Sequence, residues 1–241
     1  MSLPKLSHPT FELKIPSSGN KFLFRPYTVK EQKILLTLKD SGDEKEVTDL
    51  LLQLLASTCL SEGFNPKKLS YFDVEYLFMK LRAKSVGEIV DLSYKCNNPI
   101  EGSPCGTINS FPINLDGVEV NWEGSSKREF PIQDGLTVKM SYPNLQTMGL
   151  VESYNQSKNL EDLIGAIADC VENVKDEDSI YTEFTKEEMI GFITGLNISS
   201  FESFLEFFVD LPKIKEKVNF KCKKCGYTDV ITISGLLDFF V

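Results

Sequence analysis

The sequence predicts an α+β fold made of two pseudo-repeated halves, each of helices plus short antiparallel strands. Three observations lead to it. Cys222-Lys223-Lys224-Cys225-Gly226 is a two-cysteine knuckle lying between strand-like runs, and Cys96 with Cys105-Gly106 repeats the pattern around a longer turn. The elements ahead of each cysteine pair follow one order: strand, proline corner, helices, strand. The helical segments carry apolar residues at three- and four-residue spacing, whereas the segments flanking the cysteines alternate. Each half therefore ends in a zinc-ribbon-like Cys hairpin, and the boundary falls near residue 120, giving halves at 1–120 and 121–241.

In order along the chain, residues 1–20 carry Pro4, Pro9, Pro16 and Gly19 and read as an extended arm, with an edge strand at residues 11–15. Phe22-Leu23-Phe24-Arg25-Pro26-Tyr27 is a strand stopped by proline. Thr28 then opens a helix with Glu31 three positions on, a capping box. A second helix spans about 45–60, with Val47, Leu50, Leu51, Leu54, Leu55 and Cys59 on one face, and a third spans 70–82. Residues 88–95 alternate as a strand running into Cys96. The eight residues 97–104 form an enlarged turn, and 107–113 is the return strand. Residues 114–135 are linker-like, punctuated by Asp116-Gly117, Gly124-Ser125-Ser126 and Asp134-Gly135.

The second half restarts with a strand at 136–140 and a proline corner at Tyr142-Pro143. Helices follow at 144–154 and 160–174, the latter with Leu163, Ile164, Ile167, Cys170, Val171 and Val174 inward. Asp176-Glu177-Asp178 is an acidic turn. Thr185 and Glu188 form a second capping box, and a Phe-rich helix at 200–210 ends at Pro212. Strands enclose the knuckle, and Leu236-Leu237-Asp238-Phe239-Phe240-Val241 is an apolar end suited to docking on a partner. Cys59 and Cys170 fall at like places on the second helix of each half and read as buried core thiols.

Composition narrows the chemistry. The 241 residues carry a net charge of −9, which disfavours broad nucleic-acid or anionic-membrane binding. Residues 213–224 are the exception, with Lys213, Lys215, Lys217, Lys221, Lys223 and Lys224. No apolar run reaches membrane-spanning length and no signal-peptide core follows the start, so a protein made in a cytoplasm is expected, with reduced thiols. His8 is the only histidine, which all but removes His-based triads and His-rich metal sites. There is no phosphate-binding Gly-rich loop, no Gly-x-Ser-x-Gly elbow and no His-Glu-x-x-His, and the acidic clusters at 40–44 and 176–178 lack the ordered spacing of a calcium loop.

A knuckle brings two sulfurs, and a closed structural zinc site needs four. If the halves are duplicates, Cys96, Cys105, Cys222 and Cys225 can close one four-thiolate site between them, leaving no open position for catalysis. The alternatives are unpaired thiols at Cys96 and Cys105 with a redox-active Cys222/Cys225 pair, and a zinc-ribbon nucleic-acid-binding regulatory protein using the lysines with Phe220 and Tyr227. The redox reading sits poorly with a Cys-x-x-Cys lying between strands, since the thioredoxin-like motif begins a helix.

Leu3-Pro4-Lys5-Leu6, Phe24-Arg25-Pro26-Tyr27-Thr28-Val29-Lys30-Glu31, Glu75-Tyr76-Leu77-Phe78 and Leu81-Arg82-Ala83-Lys84-Ser85-Val86-Gly87-Glu88 together resemble a small baseplate-hub subunit or hub assembly protein of T-even-like contractile-tailed bacteriophages. The resemblance implies a non-enzymatic structural or viral tail assembly role, with other baseplate hub proteins as partners. It implies assembly in the host cytoplasm and a place in the virion tail baseplate, with a homo-oligomer left open.

Overall fold

The computed structural model describes residues 6–40, 44–123 and 127–234, with the side chains at 37–40 and 44 excepted. The first arm residues, most of the acidic cluster at 40–44, Gly124-Ser125-Ser126 and the apolar end at 236–241 lie outside them.

The chain opens with an antiparallel hairpin of β1 (Phe11–Lys14) and β2 (Lys21–Phe24), followed by α1 (Val29–Asp40) and α2 (Glu44–Thr58). Thr28 donates its N–H (2.7 Å) and its hydroxyl (2.6 Å) to Glu31 Oε2, and Arg25 Nη2 reaches Glu31 Oε1 at 2.9 Å. The proline corner is thus clamped to the first helical turn by one buried carboxylate. A single 3-10 turn at Pro66–Lys68 leads to α3 (Tyr71–Ser85).

Helix α3 is the shared wall of the molecule. Tyr71, Phe72, Met79 and Ala83 enter one core, and Val74, Leu77, Phe78 and Leu81 enter the other. A helix apolar on two sides is one buried on two sides. The smaller core is filled by β1, β2 and α2. The larger runs from Tyr71 to Ile233 and includes residues from both sides of position 120.

Beyond α3 come β3 (Ile89–Lys95), a miniature hairpin of β4 (Pro99–Ile100) and β5 (Ser103–Pro104), β6 (Ile108–Asn114) and β7 (Val120–Asn121). The stretch read as a linker is built into the body. Leu115 and Val118 are buried, and Lys80 Nζ donates to Asp116 O at 2.6 Å. Asp116-Gly117 and Asp134-Gly135 punctuate turns, while Val118, Val120 and Phe130 between them enter the core.

The second half contains β8 (Glu129–Pro131), β9 (Thr137–Met140), α4 (Leu145–Ser157), α5 (Leu160–Cys170), β10 (Val171–Lys175), β11 (Ile180–Tyr181), α6 (Lys186–Thr194), α7 (Ile198–Val209), β12 (Lys213–Lys221) and β13 (Thr228–Ser234). One sheet has the order β11-β10-β9-β8 and another β13-β12-β7. Thr185 and Glu188 make both halves of their capping box. The helix expected over 160–174 ends at Cys170. Val171 and Val174 satisfy helical spacing, but both pair with β9, opposite Met140 and Val138, as β-branched residues favour.

The backbone pairing beside the two proline corners is alike. Phe24 bridges Cys59 and Arg25 N–H donates to Thr58 O at 3.0 Å; Met140 pairs with Val171 and Ser141 N–H donates to Cys170 O at 2.7 Å. Cys170 therefore corresponds to Thr58, one residue before the partner expected from sequence. Both are buried, whereas Cys59 lies partly exposed beyond the helix end.

Candidate metal centre

The two cysteine hairpins are built by the same bonds. In β3/β6 the ladder closes at Lys95 opposite Ile108, then Cys96 N–H donates to Thr107 O (2.9 Å) and Gly106 N–H to Cys96 O (2.9 Å). In β12/β13 it closes at Lys221 opposite Thr228, then Cys222 N–H donates to Tyr227 O (2.8 Å) and Gly226 N–H to Cys222 O (3.0 Å). Gly106 and Gly226 hold φ of 69° and 73°, the left-handed conformation that favours glycine after a knuckle. The eight-residue turn does not loosen this. Pro99–Ile100 pairs with Ser103–Pro104, and Cys105 N–H donates to Asn98 O at 2.8 Å, so the additional residues fold outward as a finger and return Cys105 to its place.

The hairpins then meet at equivalent positions. Tyr94 and Phe220, each two residues before its first cysteine, pack edge to face with ring centroids 4.9 Å apart. Phe111 and Ile231, at matching registers, flank the same small cluster. Cys96 Sγ lies 3.8 Å from Cys225 Sγ, and Cys105 Sγ lies 3.8 Å from Cys222 Sγ. All four sulfurs fall within 4.8 Å of one another, and no cysteine is disulfide-bonded. With metal–sulfur bonds of about 2.3 Å, the edge of a tetrahedral four-sulfur site is about 3.8 Å, so the two cross-hairpin contacts already have that length. The four sequence-predicted residues come together, and the donor set fits a four-coordinate, thiophilic cation.

Three polar residues not foreseen from sequence support the sulfurs. Buried Asn109 donates from Nδ2 to Thr107 O at 3.0 Å, approaches Cys222 Sγ at 3.7 Å, and accepts Lys223 N–H at 2.9 Å. It therefore bolts the second knuckle to the first hairpin. Asn98 Nδ2 lies 3.8 Å from Cys225 Sγ, and Thr107 Oγ1 lies 3.3 Å from Cys105 Sγ. Asn109 left a sequence signal: it alternates in phase with inward Phe111 and Ile113, and a polar residue at an inward position needs a partner.

The thiols are not alike. Backbone N–H groups of Cys225 and Lys224 aim at Cys222 Sγ and bring it down to about 6 despite burial. The Thr107 hydroxyl lowers Cys105, whereas burial pushes Cys96 up to about 12. Cys170 stands apart, its thiol raised mainly by burial in the larger core.

A family model described as T4 bacteriophage base plate protein matches residues 8–241. The chain belongs to that family. No curated protein and no solved structure matches it. The match covers both cysteine pairs and extends the resemblance, first read in residues 3–88, across nearly the whole chain. Membership points to a structural role in the phage tail baseplate, among protein partners, and not to catalysis.

In this base plate protein the lysine stretch is a sheet face. Lys215, Lys217 and Lys221 alternate on exposed positions of β12, and Lys223 and Lys224 cap the exposed knuckle. Phe220 is buried against Tyr94, so it offers no ring for base stacking. Tyr227 is exposed, and its hydroxyl donates to Asp229 Oδ2 at 3.2 Å. Among the described residues no helix is long and apolar enough to cross a membrane.

Proposed function

We propose that this base plate protein is a non-enzymatic structural or assembly component of the baseplate hub. It works through contacts with other hub proteins and joins the growing tail in the host cytoplasm. The observation that carries the reading is the family match over residues 8–241.

Cys96, Cys105, Cys222 and Cys225 hold one structural zinc, shared between halves 1–120 and 121–241 that arose by duplication. The matched hydrogen bonds at the two knuckles and the paired 3.8 Å sulfur contacts support this. When bound, the ion supplies a cross-link and no reactive position, since four thiolates fill a tetrahedral site. The thiolates outweigh a dication by two charges. Lys95, Lys221, Lys223 and Lys224, which adjoin the cysteines in sequence, offset that excess.

Two measurements test the proposal. Native mass spectrometry with metal analysis is expected to find one zinc per chain; none, or two, would refute the shared site. Immunogold labelling of purified baseplates is expected to mark the centre. Label confined to the periphery removes the hub assignment.

The second reading, a nucleic-acid-binding regulator, is favoured only by the lysine face of β12. It requires affinity for DNA or RNA that falls steeply with salt.

A further inference from the structure

A second feature joins the two halves, away from the cysteines. A cleft of about 400 Å³ lies where the Pro66–Lys68 turn and the start of α3 meet the end of β9 and the start of α4. Tyr71 N–H donates to the O of Pro143, one of its lining residues, at 2.9 Å. Its charged lining is Lys67, Lys68, Arg128 and Asp169.

The charges do not cancel. Asp169 is taken by Lys186 at 2.6 Å. Arg128 is taken by Glu172 at 2.8 Å, whose other oxygen holds Lys139 at 2.8 Å. Asp73, buried behind the wall, accepts the Ser17 N–H at 2.9 Å and the Ser17 hydroxyl at 2.5 Å. Lys67 and Lys68 are left, both exposed and neither in an ion pair among the described residues. The chain carries −9 overall, and this cleft has two uncompensated ammonium groups at its mouth.

The wall also says what kind of anion fits. A phosphate pocket needs fixed donors, and the serine and threonine hydroxyls here are already spent: Ser17 and Ser70 on Asp73, Ser141 on Cys170 O, Thr147 on Asn144 Oδ1. What remains is point charge on two long side chains at the edge of an open groove. That arrangement attracts carboxylates carried on another chain without fixing one small anion.

We propose that this cleft docks an acidic segment of a neighbouring base plate protein, with Lys67 and Lys68 pairing its Asp or Glu side chains. The inference rests on the assembly reading above for the nature of the partner, though not for the existence of the site.

The test is calorimetric titration of the full-length, metal-loaded chain with a hexaglutamate peptide and, separately, with pyrophosphate, at low and moderate salt. Saturable peptide binding is expected, weakened at least tenfold in the Lys67→Ala/Lys68→Ala double variant. It is expected to persist in Lys215→Ala/Lys217→Ala, which removes exposed lysines of the other basic cluster, away from the cysteines. Both variants change exposed side chains, and circular dichroism checks that the fold is kept. Three outcomes would overturn the proposal: no peptide binding at millimolar concentration, binding that follows the hairpin lysines, or pyrophosphate binding more tightly than the peptide. Immunodetection of the chain in purified baseplates separates these from failure of the assembly reading, since a chain present in the particle with an inert cleft leaves that reading standing.

Discussion

The two cysteine hairpins reach one geometry from different lengths of chain. Eight residues separate Cys96 from Cys105, and two separate Cys222 from Cys225. Yet each first cysteine donates its N–H across to the residue after the glycine, and each glycine donates back, at 2.8–3.0 Å throughout. The knuckle is therefore defined by its closing bonds and its left-handed glycine, and turn length is free to vary outside them. What differs lies at the edges: an outward finger on one hairpin, Lys223 and Lys224 on the other, and a buried Asn109 where the matching register of β13 carries exposed Asp229.

The largest effect should come from cutting the clasp at either end. If one ion is shared, Cys96→Ser and Cys222→Ser abolish binding equally, although the two thiols differ in acidity. Structural metal binding is folding free energy, so each variant, or chelation of the intact chain, should cost on the order of 5 kcal/mol or more. Thermal unfolding with metal analysis measures both. A full complement of metal in either variant would break the equivalence of the hairpins.

The next contrast lies at the two proline corners, which pair alike but are capped differently. The first uses the charged Glu31, the second the neutral Asn144, whose Oδ1 accepts Thr147 N–H at 2.9 Å. Burial alone would raise Glu31, but Arg25 and the Thr28 donors outweigh it and hold the carboxyl at about 2, against an ordinary 4.5. A depressed carboxylate contributes stability that is present above its unfolded value and lost as pH falls through the folded one. Between about pH 4.5 and 2 the loss should be at most about 3 kcal/mol. Urea midpoints against pH should show this loss vanish in Glu31→Gln. In Asn144→Ala the acid slope should survive and the cap cost about 1 kcal/mol at any pH.

The corners also mark how far the sequence could be read. Thr28 with Glu31 and Thr185 with Glu188 announced their helix starts, because a cap is a local interaction between residues three apart. The four cysteines were legible because thiol spacing constrains chemistry directly. Val171 and Val174 were misread as helix: three-residue spacing suits either state, and only Met140 and Val138 across the sheet decide it. Leu115 and Val118 were hidden among turn residues, since their burial depends on α3 and Lys80, which lie far away in sequence. The offset between Cys59 and Cys170 had the same source, as the register is set by hydrogen bonds to Arg25 and Ser141 and not by residue type.

Asn109 sharpens the comparison at smaller scale. It is the polar contact that one hairpin makes and the other does not. Asn109→Ala strands the Lys223 N–H and should cost about 1–2 kcal/mol. Asp229→Ala, at the matching but exposed position, should stay within about 0.5 kcal/mol. Chemical denaturation of the metal-loaded protein reads both. Equal costs would mean that Asn109 is not a bolt between the hairpins but an ordinary strand residue.

The smallest effect should come from the largest visible difference. Replacing residues 97–104 by Lys-Lys gives the first hairpin the turn of the second. The exposed β4/β5 finger makes one backbone bond to the cysteine cluster, Cys105 N–H to Asn98 O, beside the 3.8 Å approach of Asn98 Nδ2 to Cys225 Sγ. In a two-residue knuckle that role passes to the short turn itself, as it does at Cys222 and Cys225. Loop-closure entropy changes only slowly with length, by about 0.6 kcal/mol per doubling, which favours the shorter turn slightly and offsets the lost finger pairing. One metal per chain should therefore persist, with stability within about 1 kcal/mol of the parent by denaturant unfolding. Loss of the metal in this variant would reverse the lesson of the two hairpins. It would make the finger, and not the shared closing bonds, the part that positions Cys105.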